Sequence, residues 1–328
     1  MKVLWTQFPN GPFGDPALYL WDGKERHGVL FDCGDLSRFS TRMLLKVTHI
    51  FLSHCHMDHF FGFDLLLRVH MGRDKTVTIF GPPETSKHVE GKLQGYLWNL
   101  AHFQCLAFQV VDLNTSTGEK TTTFFRATDQ FKASNISTEN FDPSAPLYET
   151  KSFTVSTVML DHQTPSMAYS IVQKPNFVID LDAIRELGLK PGNWIDEVKK
   201  IALSPERENN ELAKRVFVLG RSYKIAYATD GAASEENREV LIKLVEGADL
   251  FYSETCFIKA DQQVAHQTKH FTTEFIAELA RDAHVKKIAP FHFSKRYLDH
   301  PERVLEEVGK LFHGGVISIK QEEVKARF

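Results

Sequence analysis

The sequence predicts a single large α/β domain, and three observations carry that expectation. Short apolar, β-prone runs alternate with helical patterns along most of the chain. With 328 residues, 42% of them hydrophobic, the chain can bury a sizeable core in one domain with insertions. Several of the apolar runs end in polar or Gly-rich residues, as strands do where backbone leaves a sheet. Phenylalanine is abundant, with 26 copies, which points to bulky packing between layers. The formal charge of −3 gives no basic footprint, so nucleic-acid binding does not follow from net charge.

Taken in order, "GVLFDCG" and "VTHIFLS" read as buried strands, and "FFGFDLLLRVHMG" as a helix. "TVTIFGPP" is a strand stopped by its prolines, and "ETSKHVEGKLQGYLWNLA" a helix weakened by Gly91 and Gly95. "FQVVDL" is strand-like. The polar, Thr/Ser-rich stretch at 114–150 reads as a hairpin insertion or an exposed loop. "SFTVSTVML" alternates cleanly and runs into Asp161 and His162. A second irregular region, about 175–215, mixes helix with a Gly/Pro break and reads as an excursion from the core. "KIAYAT" leads to Asp230, and the helix "SEENREVLIKLVEGA" precedes the strand "DLFYSET". The helix "TTEFIAELARDAHV" leads into the strand "KKIAPFHF", and "HPERVLEEVGKLF" has Pro301 where a first helical turn tolerates it. The expectation is one domain over 1–328 with insertions at about 114–150 and 175–215.

Cys33, Cys55, Cys105 and Cys256 form no CxxC pair, so they read as reduced thiols of a cytoplasmic protein. The stretch "MKVLWTQFPNGPFG" lacks a secretory apolar region, and no run approaches membrane-spanning length.

The chemistry concentrates in "SHCHMDH", just after the strand "VTHIFLS". In a turn, His54 and His56 can point to one place, while Asp58 and His59 serve a second place nearby. Imidazole suits zinc and other borderline divalent metals, and a carboxylate can bind metal or orient its water. Four such groups are too many for one tetrahedral ion and too few for two, so further ligands are expected from other strand ends. His162 follows "TVSTVMLD", Asp230 follows "KIAYAT", and His292 follows "KKIAPF". All three lie at carboxyl ends of apolar runs, where α/β sheets gather their sites. Alone, His162 or His292 would read as a structural histidine; together with "SHCHMDH" they read as a two-metal site with positions open to water. Asp32, at another strand end, reads as a brace for the loop by hydrogen bonding. The remaining histidines, His27, His49 and His70 among them, match no ligand position.

"SHCHMDH" resembles the H-x-H-x-D-H signature of the metallo-β-lactamase superfamily, which implies a four-layer αβ/βα sandwich of the metallo-β-lactamase type. Further segments are similar to the ribonuclease Z (tRNA 3′-processing endonuclease) branch: "LDHQTPSMAYSI", "YATDG", "SETCF" followed by "HFTTE", and "HFSKRY". "LDAIRELGLKPGNWIDEVKK" is similar to the Gly/Pro-containing stretch many members carry before the aspartate. The likeness spans about 31–297. The chain departs from the branch in three places. "TQFPNGPFGDPALYL" lacks an Arg-Asn pair, Ala168 stands where a glycine is usual, and the 114–148 insertion is longer than expected.

Carried over by position, the resemblance puts His54, His56 and His162 on one metal. It puts Asp58, His59 and His292 on or beside a second, with Asp230 bridging. The implied cofactor is two divalent metal ions, with Zn2+ favoured and Mn2+ the other candidate. Asp58 would orient a hydroxide nucleophile. His270 matches the histidine that helps protonate the leaving oxygen, and Glu254 the acidic residue that orients it. Ser294 and Arg296, after His292, are candidates for contact with a substrate phosphate. The resemblance implies endonucleolytic removal of pre-tRNA 3′ trailers. It also implies a homodimer in which an arm, at 114–150 or 175–200, grips the RNA. Activity on a small phosphodiester such as a cyclic nucleotide is the nearest alternative. Thioester or lactam hydrolysis shares the fold but not "HFSKRY". Iron redox relatives usually carry a carboxylate where His56 stands, and a non-catalytic RNA- or protein-binding module would have lost ligands that this chain keeps.

Overall fold

The structure is a computed structural model that describes residues 4–190 and 192–321. Pro191, part of the Gly/Pro break noted in the sequence, and the first three residues lie outside it. So do residues 322–328. The chain divides into two compact units, one running to Ile171 and resuming at Lys224, the other spanning Val172–Tyr223.

In the larger unit, eight strands form a first sheet in chain order: β1 (Leu4–Gln7), β2 (Leu18–Asp22), β3 (His27–Phe31), β4 (Val47–Phe51), β5 (Lys75–Gly81), β6 (Leu106–Asn114), β7 (Glu119–Arg126) and β8 (Ala133–Asn140). Its middle, β3 to β6, is parallel, and both flanks are antiparallel. The polar 114–150 stretch contributes β7 and β8, whose threonines fit a pleated, half-exposed surface. β9 (Tyr148–Glu149), β10 (Phe153–Asp161) and β11 (Pro165–Gln173) begin the second sheet. In the smaller unit, β12 (Phe177–Ile179) and β13 (Phe217–Leu219) pair antiparallel. β14 (Tyr223–Ala228), β15 (Leu250–Glu254), β16 (Lys287–Phe291) and β17 (Gly315–Val316) then complete the second sheet in the order β17-β16-β15-β14-β11-β10-β9.

Helices cover the outer faces. α1 (Thr41–Leu44), α2 (Met57–Phe60), α3 (Phe63–His70) and α4 (Thr85–Leu93) belong to the first sheet's side. Met43, Phe63, Leu66, Val89 and Leu93 bury against Leu30, Ile50, Val77 and Val110. α4 stops at Leu93, short of the helix expected from the sequence. Gly91 and Gly95 weaken it, and the Trp98 indole N–H caps the Leu93 carbonyl at 2.7 Å. α5 (Leu181–Glu186), α6 (Trp194–Ala202) and α7 (Glu211–Val216) give the smaller unit its own core of Ile184, Val198, Ala213 and Val216. α8 (Glu235–Val245), α9 (Gln262–Thr268), α10 (Thr273–Asp282) and α11 (Glu302–Leu311) follow. Leu241, Ile276 and Val308, one from each of α8, α10 and α11, pack on the second sheet with Ala226, Phe251 and Ile288.

Between the sheets lies an aromatic layer, which accounts for much of the phenylalanine content. Phe31 and Phe51 stack with centroids 5.1 Å apart, and Tyr169 and Tyr227 approach Phe31 at 5.7 and 6.1 Å. The architecture is therefore helices, sheet, sheet, helices, the four-layer α/β sandwich. No helix among the described residues is long and apolar enough to cross a membrane.

Candidate metal centre

The centre forms where strands of both sheets end. β4 stops at Phe51, and the chain passes through buried Leu52 and Ser53 into His54. His56 then takes the N-cap position of α2, which places Asp58 and His59 in its single turn. This loop packs against the turn after β3 through two glycines: a Cβ on Gly34 would lie 2.3 Å from the Asp58 carbonyl oxygen, and one on Gly62 only 2.2 Å from that of Gly34. Only glycine permits so close an approach. Asp32, Asp230 and His292 all have left-handed backbone, with φ of 58°, 48° and 58°. Such a conformation costs a residue with a side chain roughly 1–2 kcal/mol. It turns each side chain off its strand end toward the centre.

Two donor groups meet at Asp230. His54, His56, His162 and Asp230 each offer an atom within 4.8 Å of the others, and so do Asp58, His59 and His292. Asp230 Oδ2 lies 3.7 Å from His54 Nε2, 3.4 Å from His162 Nε2 and 3.4 Å from His59 Nε2. Its Oδ1 lies 3.2 Å from His292 Nδ1. Asp58 Oδ2 lies 3.1 Å from His292 Nε2 and 3.5 Å from His59 Nε2.

The far side of two rings is anchored, which sets their tautomers. His162 Nδ1 donates to the Lys269 carbonyl at 2.7 Å, and His59 Nδ1 donates to Asp32 Oδ2 at 2.8 Å. Each therefore turns its Nε2 toward Asp230. Ser53 Oγ donates to Asp32 Oδ2 at 2.9 Å and lies 3.0 Å from His54 Nδ1, linking His54 to the carboxylate that anchors His59.

Carboxylates and imidazoles in the centre shift one another's protonation. Burial would raise the Asp230 carboxyl, yet His292 and His59 hold it well below the usual range. Burial would lower His59 and His292, but Asp230 and the other carboxylates facing them raise both, His292 to about 10. His54, buried and ringed by other imidazoles, is pushed down to about 2 and stays neutral. His54 Nε2, His59 Nε2 and His292 Nδ1 are buried with no hydrogen-bond partner. Imidazole nitrogens and carboxylate oxygens converge here, and a divalent cation can take the place of the protons that the carboxylates hold on His59 and His292, so the donors fit one.

A cavity of about 380 Å³ opens over the cluster, lined by His56, Asp58, His162, Asp230, His270 and His292. His270 Nδ1 is hydrogen-bonded to Glu254 Oε1, and Glu254 is fully buried. Burial opposes charge on His270, but Glu254 outweighs it and raises the imidazole pKa. Gln163 and Thr164, next to His162 in "LDHQTPSMAYSI", also line the cavity, as does Thr268, which lies in no motif. The Lys269 carbonyl lies in no motif, and Tyr227 opens "YATDG", where the resemblance implies no role for it. Ser294 and Arg296 are not among the lining residues. Arg296 instead pairs with Asp261 at 2.7 Å and sits over the Phe257 ring at 5.2 Å. Cys55, between two ligands, is half-buried, and its thiol pKa is raised by burial to about 12.

Comparison with known proteins gives the same fold. Residues 12–84 match the metallo-β-lactamase superfamily model. Fold and donor set together point to a metal-dependent hydrolase similar to the metallo-β-lactamase superfamily. Within it the chain is similar to proteins named ribonuclease Z. The protein from Deinococcus radiodurans is 29% identical over 87% of this chain and 88% of its own length. That from Methanosarcina mazei is 26% identical over 88% and 86%. Among solved structures, the metallo-β-lactamase fold protein YhfI from Bacillus subtilis superposes with a TM-score of 0.58 at 15% identity, covering 95% of both chains. The short form of human tRNase Z gives 0.54 at 18% identity, over 89% of this chain and 93% of that one.

Proposed function

We propose that this protein is a zinc-dependent phosphodiesterase that removes 3′ trailers from pre-tRNA, acting through two metal ions held by Asp230 and the six donors around it. The observation that carries this reading is His270 at the cavity edge, hydrogen-bonded to the buried Glu254 carboxylate. An alkoxide leaving from a phosphodiester needs a proton, whereas a thiolate leaving from a thioester does not; a histidine held toward its protonated form supports the first.

When bound, divalent ions at such a site supply Lewis-acid polarisation of a phosphoryl oxygen and an activated water. Five imidazoles among seven donors favour zinc over magnesium or calcium, which prefer oxygen. His54, His56 and His162 would hold one ion, and Asp58, His59 and His292 the other, with Asp230 between. Asp58, partly exposed and lining the cavity, would orient the attacking water. His270 would deliver the proton from its Nε2, because Nδ1 faces Glu254. The likeness to proteins named ribonuclease Z over most of the chain supports pre-tRNA as the substrate. Four free cysteines support a reducing cytoplasmic setting. Exposed Met57, Phe61 and Leu65 beside the ligand loop support a homodimer.

The test is cleavage of a 3′-extended pre-tRNA by zinc-loaded protein, with the cut mapped. A cut at the 3′ end of the acceptor stem, lost in Asp58→Ala while the fold persists, is the expected result. Hydrolysis of bis(p-nitrophenyl) phosphate without any cut in pre-tRNA would redirect the assignment to a small phosphodiester.

A further inference from the structure

The turn between β2 and β3 carries a second set of metal donors. His27 opens β3 and Asp32 follows its last residue, so the five intervening steps put this turn about 17 Å from the metal centre. Asp22, Glu25 and His27 each offer a donor atom, all within 4.8 Å of one another. His27 Nδ1 is 3.8 Å from Glu25 Oε2.

Asp22 is the informative member. It is fully buried, and its Oδ1 accepts from Lys24 N at 2.8 Å, Glu25 N at 3.2 Å and Ser152 Oγ at 3.1 Å. Three donors on one oxygen hold the carboxylate rigidly, yet its Oδ2 is buried with no partner at all. The Nε2 of His27 is likewise buried and unpartnered. Burial lowers the His27 pKa against the pull of Asp22 and Glu25, so the ring is neutral and has a lone pair to give. A charged histidine therefore does not supply what Asp22 lacks. The Lys75 ammonium, which donates to the Leu45 carbonyl at 2.8 Å, is not within hydrogen-bond reach of Asp22 Oδ2 either.

We propose that Asp22, Glu25 and His27 form a second, structural site for a divalent cation of the zinc class, with water as the fourth ligand. Two carboxylates and one imidazole in a tetrahedral set suit such an ion. The site would act as a staple between the sheets. Ser152 Oγ already reaches Asp22, and Lys151 N reaches Glu25 Oε1 at 3.4 Å, both from the turn joining β9 to β10 of the second sheet.

The experiment compares bound zinc per chain, by elemental analysis after dialysis against zinc-containing buffer, in the full-length protein and in the Glu25→Gln/His27→Gln double variant. The variant should bind one equivalent fewer and keep the wild-type rate, since neither side chain touches the metal centre. Equal zinc content in the two folded proteins overturns the proposal. If the double variant does not fold, Glu25→Gln alone is titrated with zinc by calorimetry. A tenfold or greater loss of affinity for one equivalent supports the site, and an unchanged titration overturns it. The readout is a difference of one ion between two proteins, so it stands or falls separately from the activity assigned to the metal centre.

Discussion

Tyr227 donates its phenolic hydroxyl to Asp32 Oδ2 at 2.6 Å, and the same carboxylate oxygen accepts from His59 Nδ1 at 2.8 Å. Asp32 follows β3 in one sheet and Tyr227 lies on β14 in the other. One buried carboxylate thus couples the packing of the sheets to the aim of a metal-donor imidazole. Groups that orient metal ligands typically contribute about 10–100-fold in affinity.

Tyr227→Phe keeps the ring stacked on Phe291, 5.4 Å between centroids, and removes only the hydroxyl. Zinc affinity by chelator competition should fall by about tenfold, and Asp32→Ala should lose up to about 100-fold. Unchanged affinity in both variants would mean that Asp32 supports the fold and not the ligand.

His270 and Glu254 make a sharper pair. Either His270→Gln or Glu254→Gln should lower kcat on RNA by about 10²–10⁴ with metal content unchanged. Loss on bis(p-nitrophenyl) phosphate should be much smaller, because p-nitrophenolate leaves without a proton. Equal losses on both substrates, or loss of metal, would remove His270 from the role of proton donor.

Two histidines away from the centre set an acid limit on stability. Burial lowers both His49 and His70 to about 4, and neither ring nitrogen of buried His70 has a partner. Unfolding frees these rings to take protons near pH 6.5, while the folded rings stay neutral to about pH 4. Stability is therefore fully present above pH 6.5, falls as pH drops toward 4, and levels off below that. His70→Leu should flatten part of this slope and raise stability at neutral pH by about 1–2 kcal/mol, since an unpaired buried polar group is removed. Urea unfolding from pH 4 to 8 measures both, and an identical acid slope in the variant would acquit His70.

Much of the centre is legible in the chain itself. His54, His56, Asp58 and His59 crowd into one turn, and His162, Asp230 and His292 each follow an apolar run. Strand periodicity and strand ends are local properties, so the sequence alone determined the α/β layering and the cluster of metal-ligand types. The tertiary structure decided what those residues touch. Asp230 faces both donor groups because its backbone is left-handed at the end of β14. His162 is aimed by a carbonyl 107 residues away, at Lys269. Arg296, plausible for a phosphate by its position after His292, is occupied by Asp261 instead. His27, unremarkable in sequence, acquires Asp22 and Glu25 as neighbours only when the turn closes and Ser152 arrives from the other sheet. The physical reason is range. Hydrophobic pattern and turn chemistry act over a few residues, whereas a ligand's aim and a carboxylate's orphaned oxygen depend on contacts between chain segments more than 100 residues apart.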